Sequence, residues 1–401
     1  MRRESSENEG SGIRIVNGYI DLASLLNGLP EDLHAEAGDE YIVLAKTSYA
    51  GRVKRCEIRI RRYVDERLFP EFLGLYVSDG SKKFDRVRFS NTNVQYHKKV
   101  ADALKHLGAH ELVAYVYHSI QDSRELKEAI TRFKALTGAE VHGAYFDARA
   151  RNPLFELDVC NKSLAMFLLA AERMFRKAAI AGRLPRKLVA RYLRGVMEGD
   201  GSIRIRIGRV KKGEEEKAEG VYISISEKNE EIAKDFIKIF YRYYGVKLHS
   251  YGYDRVATLN LQHLLELLHD EVFPEEYADK IRHRLLIALK RKGVPWILLQ
   301  LLKAFGDKAF TVFEASKVLG KSRNHARDSL INLENVGYVR SWKEKISEKR
   351  KGTPVRRFFK LTRKALETAK ILSSLLFPSF YSFYLGGRIH HTLGSGNNSW
   401  S

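Results

Sequence analysis

Two aspartates in near-identical settings, Asp79 and Asp200, are the residues of this chain best suited to chemistry. The first lies in "FPEFLGLYVSDGS" and the second in "ARYLRGVMEGDGS", apolar helix-like runs that end in Asp-Gly-Ser. The two lie 121 residues apart, the length of one small domain. Each run carries a glycine at a matching place, Gly74 and Gly195, where two helices could approach closely side by side. If the runs pair about a pseudo-twofold axis, Asp79 and Asp200 meet at adjacent helix ends. Carboxylates there face mutual repulsion and the unfavourable end of each helix dipole, so something positive is needed. No His or Cys accompanies either run at ligand spacing. Oxygen ligands that leave room for phosphate select a hard cation such as Mg2+. Divalent ions so held could activate water and stabilise a leaving 3′ oxygen, which is phosphodiester hydrolysis.

The elements that must position these acids can be read as a repeat. The joint "RFSNTNVQYHKKVADALKHLG" (88–108) aligns with "SISEKNEEIAKDFIKIFYRYYG" (224–245), and both place a Ser (Ser90, Ser226) and an Asn (Asn93, Asn229) before a helix that ends in Gly. In the second helix Ile232, Phe236, Ile239, Phe240 and Tyr243 recur at helical spacing and predict one buried face. The strand "SIRIRIGRV" alternates Ile203, Ile205 and Ile207 with Arg204 and Arg206. Its cationic face suits a nucleic-acid groove or is an ordinary solvated strand face. Residues 13–66 read as a β-rich lead-in of unassigned role, with Ile58 and Ile60 alternating against Arg59 and Arg61.

After Pro295 the order is helix, short helix "VFEASKVLG", turn, "SRNHARDSLINLENVGYV" and a basic hairpin. This is the order of a winged helix-turn-helix, with a recognition helix from about 322 to 334 and a wing at 343–357. Such helices also occur in protein-protein adaptors. Arg323, Asn324, His325 and Arg327 near the helix start, and Lys345, Lys349, Arg350, Lys351 and Arg356 in the wing, favour nucleic acid.

Composition agrees. With 70 Lys and Arg against 49 Asp and Glu, a formal charge of +21 and a pI near 9.7, the chain favours a polyanion. Cys56 and Cys160 are too few for a disulfide framework or a thiolate zinc site, which points to a reducing interior. The polar start "MRRESSENEGSG" lacks a signal-peptide core, and no run approaches the roughly 20 apolar residues of a membrane span. The expected location is the cytoplasm of a prokaryote, in association with the nucleoid. The run "ILSSLLFPSFYSFYL" at 371–385, interrupted by Pro378, reads as a docking segment, and "GSGNNSWS" as a flexible tail.

"FLGLYVSDG" and "LRGVMEGDG" together resemble the paired signature of the single-chain LAGLIDADG homing endonucleases, over about residues 67–290. The resemblance implies an α+β fold in which two pseudo-symmetric αββαββα halves, 67–183 and 184–292, form a saddle over double-stranded DNA. A flexible 1–12, the lead-in 13–66, a winged helix-turn-helix at 293–370 and an apolar segment with tail at 371–401 complete the expected layout. By position, Asp79 and Asp200 become catalytic metal ligands, and the carbonyls of Ser78 and Gly199 supplementary ones. The polar residues closing the second strand of each half become Asn91 and Glu227, the latter departing from the usual Gln or Lys. The family's basic residue near the active site, just before the closing helix of a half, matches Lys280 in "YADKIRHRLL", which the resemblance makes a catalytic residue, with Lys177 or Arg183 as first-half candidates. The sixth motif position is Val77 in one copy and Glu198 in the other. Arg86, Arg88, Arg204, Arg206 and Ser224 join Asn91 and Glu227 as groove-facing residues. The expected activity is that of a monomeric, Mg2+-dependent, site-specific endonuclease. The alternatives are a non-cleaving regulator, resembling bacterial proteins that join such a scaffold to a helix-turn-helix, and a maturase acting on structured intron RNA. No opening Cys or Ser with a matching terminal His-Asn is present, so protein splicing is not expected.

Overall fold

Alternation in the lead-in produces strands, but they build no separate domain. The computed structural model describes residues 13–46, 56–207, 218–290, 293–345 and 355–376. β1 (Arg14–Val16), β2 (Tyr19–Asp21), β3 (Leu33–Ala37), β4 (Tyr41–Lys46), β5 (Cys56–Arg61) and β6 (Tyr63–Asp65) form two antiparallel sheets, ordered β1-β2-β6 and β3-β4-β5. Ile42, Leu44, Ile60 and Val64 are buried, and Arg59 lies over the Tyr41 ring.

The first Asp-Gly-Ser run is α1 (Leu68–Asp79), followed by β7 (Val87–Asn91), α2 (Val94–Leu107), β8 (Val113–His118), α3 (Ser123–Thr137), β9 (Glu140–Phe146), β10 (Leu154–Val159) and α4 (Lys162–Ile180). The second run is α5 (Arg186–Gly199), followed by β11 (Gly201–Ile207), β12 (Ala218–Ser226), α6 (Glu230–Tyr244), β13 (His249–Tyr251), β14 (Asp254–Leu259) and α7 (Leu261–His269). Strands β3, β4 and β5 pack on α4, so the lead-in shares the core of the first run. Each run supplies one four-stranded sheet, β7-β10-β8-β9 and β11-β12-β14-β13.

The two runs differ in one respect that the repeat does not foretell. Elements α5 to α7 follow the order αββαββα. In the first run the place of β11 is taken by a single bridge between Gly80 and Phe89, and α3 with β9 is inserted between β8 and β10. The stretch "SKKFDR" after Gly80 lacks the alternation a strand needs. The inserted α3 is anchored by the Asp122 cap and by Phe133, which stacks on Phe155 at 4.1 Å. β9 then adds parallel to β8.

Capping follows the sequence. Asn93 accepts from Gln95 N and Asn229 from Glu231 N, and Gly108 and Gly245 close their helices in the left-handed region at φ 105° and 66°. On α6 the buried stripe is Ile232, Phe236, Ile239, Phe240 and Tyr244. Tyr243, expected in that stripe, is half-buried and donates its hydroxyl to the Leu184 carbonyl, because 236, 240 and 244 continue the helical row. The second run is tied to α4 by buried polar groups: Arg176 pairs with Glu172 and Asp235, and Tyr192 donates to Glu172 at 2.7 Å.

By contacts the chain divides into two compact units, one up to His263 with Asp270–Pro274, the other Leu264–His269 with the chain from Glu275 onward. The second unit contains α8 (Glu275–Lys290), α9 (Val294–Phe305), β15 (Phe310–Thr311), α10 (Val312–Leu319), α11 (Arg323–Asn335), β16 (Val339–Lys345), β17 (Val355–Leu361) and α12 (Arg363–Leu376), with a sheet ordered β15-β17-β16. Thr311 and Glu314 form a capping box at α10, and Ser322 caps α11. No helix among the described residues is long and apolar enough to cross a membrane.

Candidate active site

The site is made by α1, apolar on nearly every side and buried over most of Phe69 to Val77, and by α5, which is amphipathic: it buries most of Leu188 to Glu198 while Arg191 and Arg194 stay half-buried on its polar side. The apolar faces of both helices belong in a protein centre. Their glycines let the backbones touch. A Cβ on Gly74 would lie 2.0 Å from the Tyr192 carbonyl oxygen, and one on Gly195 would lie 2.0 Å from that of Glu71. The contacts advance together along both helices, 71 and 75 against 195, 78 against 199, so the helices run parallel and end side by side. At that end a Cβ on Gly199 would meet Ser78 Cβ at 2.3 Å and Asp79 Oδ2 at 3.1 Å. The chain therefore delivers Asp79 and Asp200 to one place. Lys99 of α2 fastens the pair from the side, bonding Glu71 of α1 at 2.7 Å and Glu198 of α5 at 2.5 Å. Glu198, half of the variable sixth motif position, is thus a structural anchor, and burial raises its carboxyl against the pull of Lys99.

The two aspartates have different neighbours. Asn91, closing β7, donates Nδ2 to Asp79 Oδ2 at 2.7 Å, and its own Oδ1 accepts from Asn93 N at 2.6 Å. The matching position in the second run is Glu227, just after β12, whose Oε1 accepts from Asn229 N at 2.7 Å. The same turn thus presents an amide to one acid and a carboxylate near the other. Burial raises both aspartates. For Asp79 the Asn91 hydrogen bond and Lys82 oppose the rise. Asp200 is pushed up to about 7, by burial first and then by the charges of Asp79 and Glu227, while Lys82 and the Ser78 hydroxyl oppose. Unequal environments of this kind separate the duties of two carboxyl groups.

Lys82 is the residue that sequence reasoning missed. It follows the first motif by three positions and crosses to the second run, pairing with the 3% exposed Glu227 carboxylate at 3.0 Å. Its signal in the sequence is its place: a cation directly after Asp-Gly-Ser lies within reach of the acid end of the helix. His97, fully buried, is a second such residue; its Nε2 is 2.9 Å from the Asn91 carbonyl, which holds the turn carrying Asn91.

The expected groove residues divide. Arg204 is exposed opposite Tyr222, Arg206 occupies the β11 position opposite Gly220, and Ser224 shares a hydrogen bond with Ser202 at 2.8 Å. Arg86 and Arg88 are already engaged, Arg86 with Asp158 at 3.1 Å and Arg88 with Glu156 at 3.2 Å. Lys177 and Arg183 are exposed on and after α4. Lys280 is exposed on α8 of the second unit, 5.3 Å from the centre of the Tyr277 ring. Arg323, Asn324, His325 and Arg327 are exposed on α11, with Arg323 4.6 Å from the centre of the Phe313 ring. Arg356 is exposed on β17, and Lys345 ends β16. Lys349, Arg350 and Lys351 lie outside the described residues, as do 1–12 and the tail from 377.

No protein-family model and no curated protein matches this sequence. Among solved structures, a crystal structure of the N-terminal LAGLIDADG domain of DUF199/WhiA is similar at 12% identity, covering 53% of this chain and 86% of that one with a TM-score of 0.30.

Whether the donors suit Mg2+ can be judged from their chemistry. Among the described residues no group of three or more His, Cys, Asp or Glu is arranged to hold a metal. Mg2+, however, commonly takes one or two carboxylates and completes its shell with water and substrate phosphate. Asp79 and Asp200 supply oxygens only, and a cation would oppose both causes that raise Asp200, burial first and then repulsion, so the pair fits the ion. Asp200 holds a proton in the folded state between its ordinary value near 4 and about 7, where the unfolded chain has lost it. Stability therefore falls as pH rises through that window and levels off above 7. Thermal melts from pH 5 to 8 should show the fall, Asp200→Asn should flatten it, and millimolar Mg2+ should raise the melting temperature at pH 8 but not at pH 5.

Proposed function

We propose that this protein is a site-specific endonuclease of double-stranded DNA that works with a divalent metal, Mg2+ by its donor set. The observation that carries the reading is the delivery of Asp79 and Asp200, by two glycine-packed parallel helices, to one half-buried point where partial burial and mutual repulsion call for a cation. A scaffold helix pair has no reason to place carboxylates there. In this reading the two runs are LAGLIDADG halves, the first modified by loss of its first strand and insertion of α3 and β9. Asp79 and Asp200 would hold the metal, with the Ser78 and Gly199 carbonyls beside them. The ion, when bound, supplies the charge that activates water and stabilises the leaving 3′ oxygen. Asn91 aims Asp79 and favours its ionised form against burial, Lys82 lends positive charge to the phosphate, and Glu227 holds Lys82 in place. The acids come from one chain, which supports a monomer.

The second unit reads as a winged helix, α10 and α11 with the β16–β17 hairpin, whose exposed Arg323, Asn324 and Arg327 would add contacts to the DNA.

The test is cleavage of a DNA library by purified protein with Mg2+ and with EDTA. Metal-dependent cuts at one site support the reading, and sequence-selective binding without cuts in any divalent metal overturns it. The latter outcome is the non-cleaving regulator, and one observation favours it: Lys82 already places an ammonium among the acids and can compensate them without metal. Tighter binding to structured intron RNA than to duplex would point to a maturase. In each case affinity should fall with salt at about 0.9 log units per log unit of salt for each phosphate contacted. A flat salt dependence would remove nucleic acid from consideration.

A further inference from the structure

We propose that the outward face of the first sheet stacks unpaired bases, so that the DNA bound over that half is held with its strands locally opened. This rests on the nucleic-acid reading above and specifies the state of its substrate. On β8, Ala114 and Val116 are buried and Tyr115 and Tyr117 alternate to the other face. β9 brings Tyr145 level with Tyr117 and Gly143 level with Tyr115. The Tyr145 ring lies flat over Gly143: a Cβ there would stand 2.8 Å from the Tyr145 hydroxyl. Freed in this way, Tyr145 aligns with both neighbours, 5.5 Å and 27° from Tyr117 and 6.4 Å and 32° from Tyr115. Tyr145 is 50% exposed. The helices lie on the opposite face, where Phe155 stacks on Phe133 of α3 and Phe89 meets His97 of α2 edge-on.

Charge separates this surface from its counterpart. Arg86 and Arg88, which a duplex-reading sheet would spend on phosphates and base edges, are neutralised by Asp158 and Glu156 on the neighbouring strand. The second sheet keeps Arg204 exposed. Near-parallel rings cannot reach into a closed base stack, but every unpaired base offers a π-face to them, whatever its identity. The second sheet would grip phosphates while the first takes bases.

The experiment uses the full chain and fluorescence anisotropy with probes of arbitrary sequence: a closed duplex, the same duplex with an unpaired central bubble, a single DNA strand and a single RNA strand. The bubble and the single DNA strand should bind more tightly than the closed duplex. Tyr117→Ala and Tyr145→Ala should each weaken the bubble and single strand by roughly 5- to 150-fold while leaving the closed duplex unchanged. Tyr117→Phe and Tyr145→Phe, which keep the ring, should bind as the unaltered chain does. Equal affinity for bubble and duplex, or alanine variants that bind the single strand normally, would overturn the proposal and leave the duplex endonuclease standing. Preference for the RNA strand over the DNA strand overturns the assignment to opened DNA. Failure to bind any probe overturns the nucleic-acid reading itself.

Discussion

Replacing both Asp79 and Asp200 by asparagine should abolish DNA cleavage, preserve the fold, and tighten DNA binding measured in EDTA. The three outcomes share one cause. Two half-buried carboxylates at helix C-termini repel each other and repel the phosphate that must come between them, and Lys82, the Asn91 amide and the Ser78 hydroxyl offset this only in part. Asparagine keeps the shape and removes the charge. The variant loses the anionic oxygens that a hard cation needs, so no cut should appear at any Mg2+ concentration. It also sheds the repulsion, so its melting temperature at pH 8 should exceed that of the unaltered chain. The single variants should differ. Asp79→Asn faces the Asn91 amide, which then loses its charged acceptor, whereas Asp200→Asn relieves repulsion from both Asp79 and Glu227. The larger gain in stability belongs to Asp200→Asn. Cleavage assays, thermal melts and anisotropy in EDTA read the three outcomes separately, and retention of cutting by the double variant would remove the acids from the chemistry.

Gly195→Leu and Gly74→Leu should each lower stability by about 3 kcal/mol or more, at the upper end of what overpacking costs, because the obstruction is backbone. The Cβ alone would stand 2.0 Å from a carbonyl oxygen of the facing helix, and neither helix can retreat: both are buried, and Lys99 ties them together from the side. Any relief must come by parting the helices, which also parts Asp79 from Asp200. Urea denaturation should show a lowered midpoint, and whatever folds should cleave poorly. A midpoint equal to that of the unaltered chain would show that these helices do not pack face to face.

Much of this arrangement is legible in the order of the residues, and each instance has a local cause. Asp-Gly-Ser after an apolar run marks a helix end because glycine and serine cannot extend it cheaply, and Asn93 and Asn229 declare caps because a short side chain reaches the free amides of the first turn. The two glycines announce close helix packing, since a missing side chain inside a buried helix is otherwise costly. Helical spacing places the α6 stripe at 232, 236, 239 and 240. It errs by one residue at the end, where the row continues to Tyr244 and Tyr243 turns to a carbonyl.

Other features depend on partners far away in the chain. Nothing near Lys82 reveals Glu227, 145 residues on, and nothing near Arg86 and Arg88 reveals that Asp158 and Glu156 will occupy them. The replacement of a strand by the Gly80 bridge, and the tyrosine surface over Gly143, arise from which strand becomes whose neighbour. Periodicity and capping are properties of consecutive residues, settled by backbone geometry within a turn or two. Charge compensation, the height of the Asp200 pKa and the exposure of a ring are settled by distance in space, which the chain acquires only when its sheets and helices have packed.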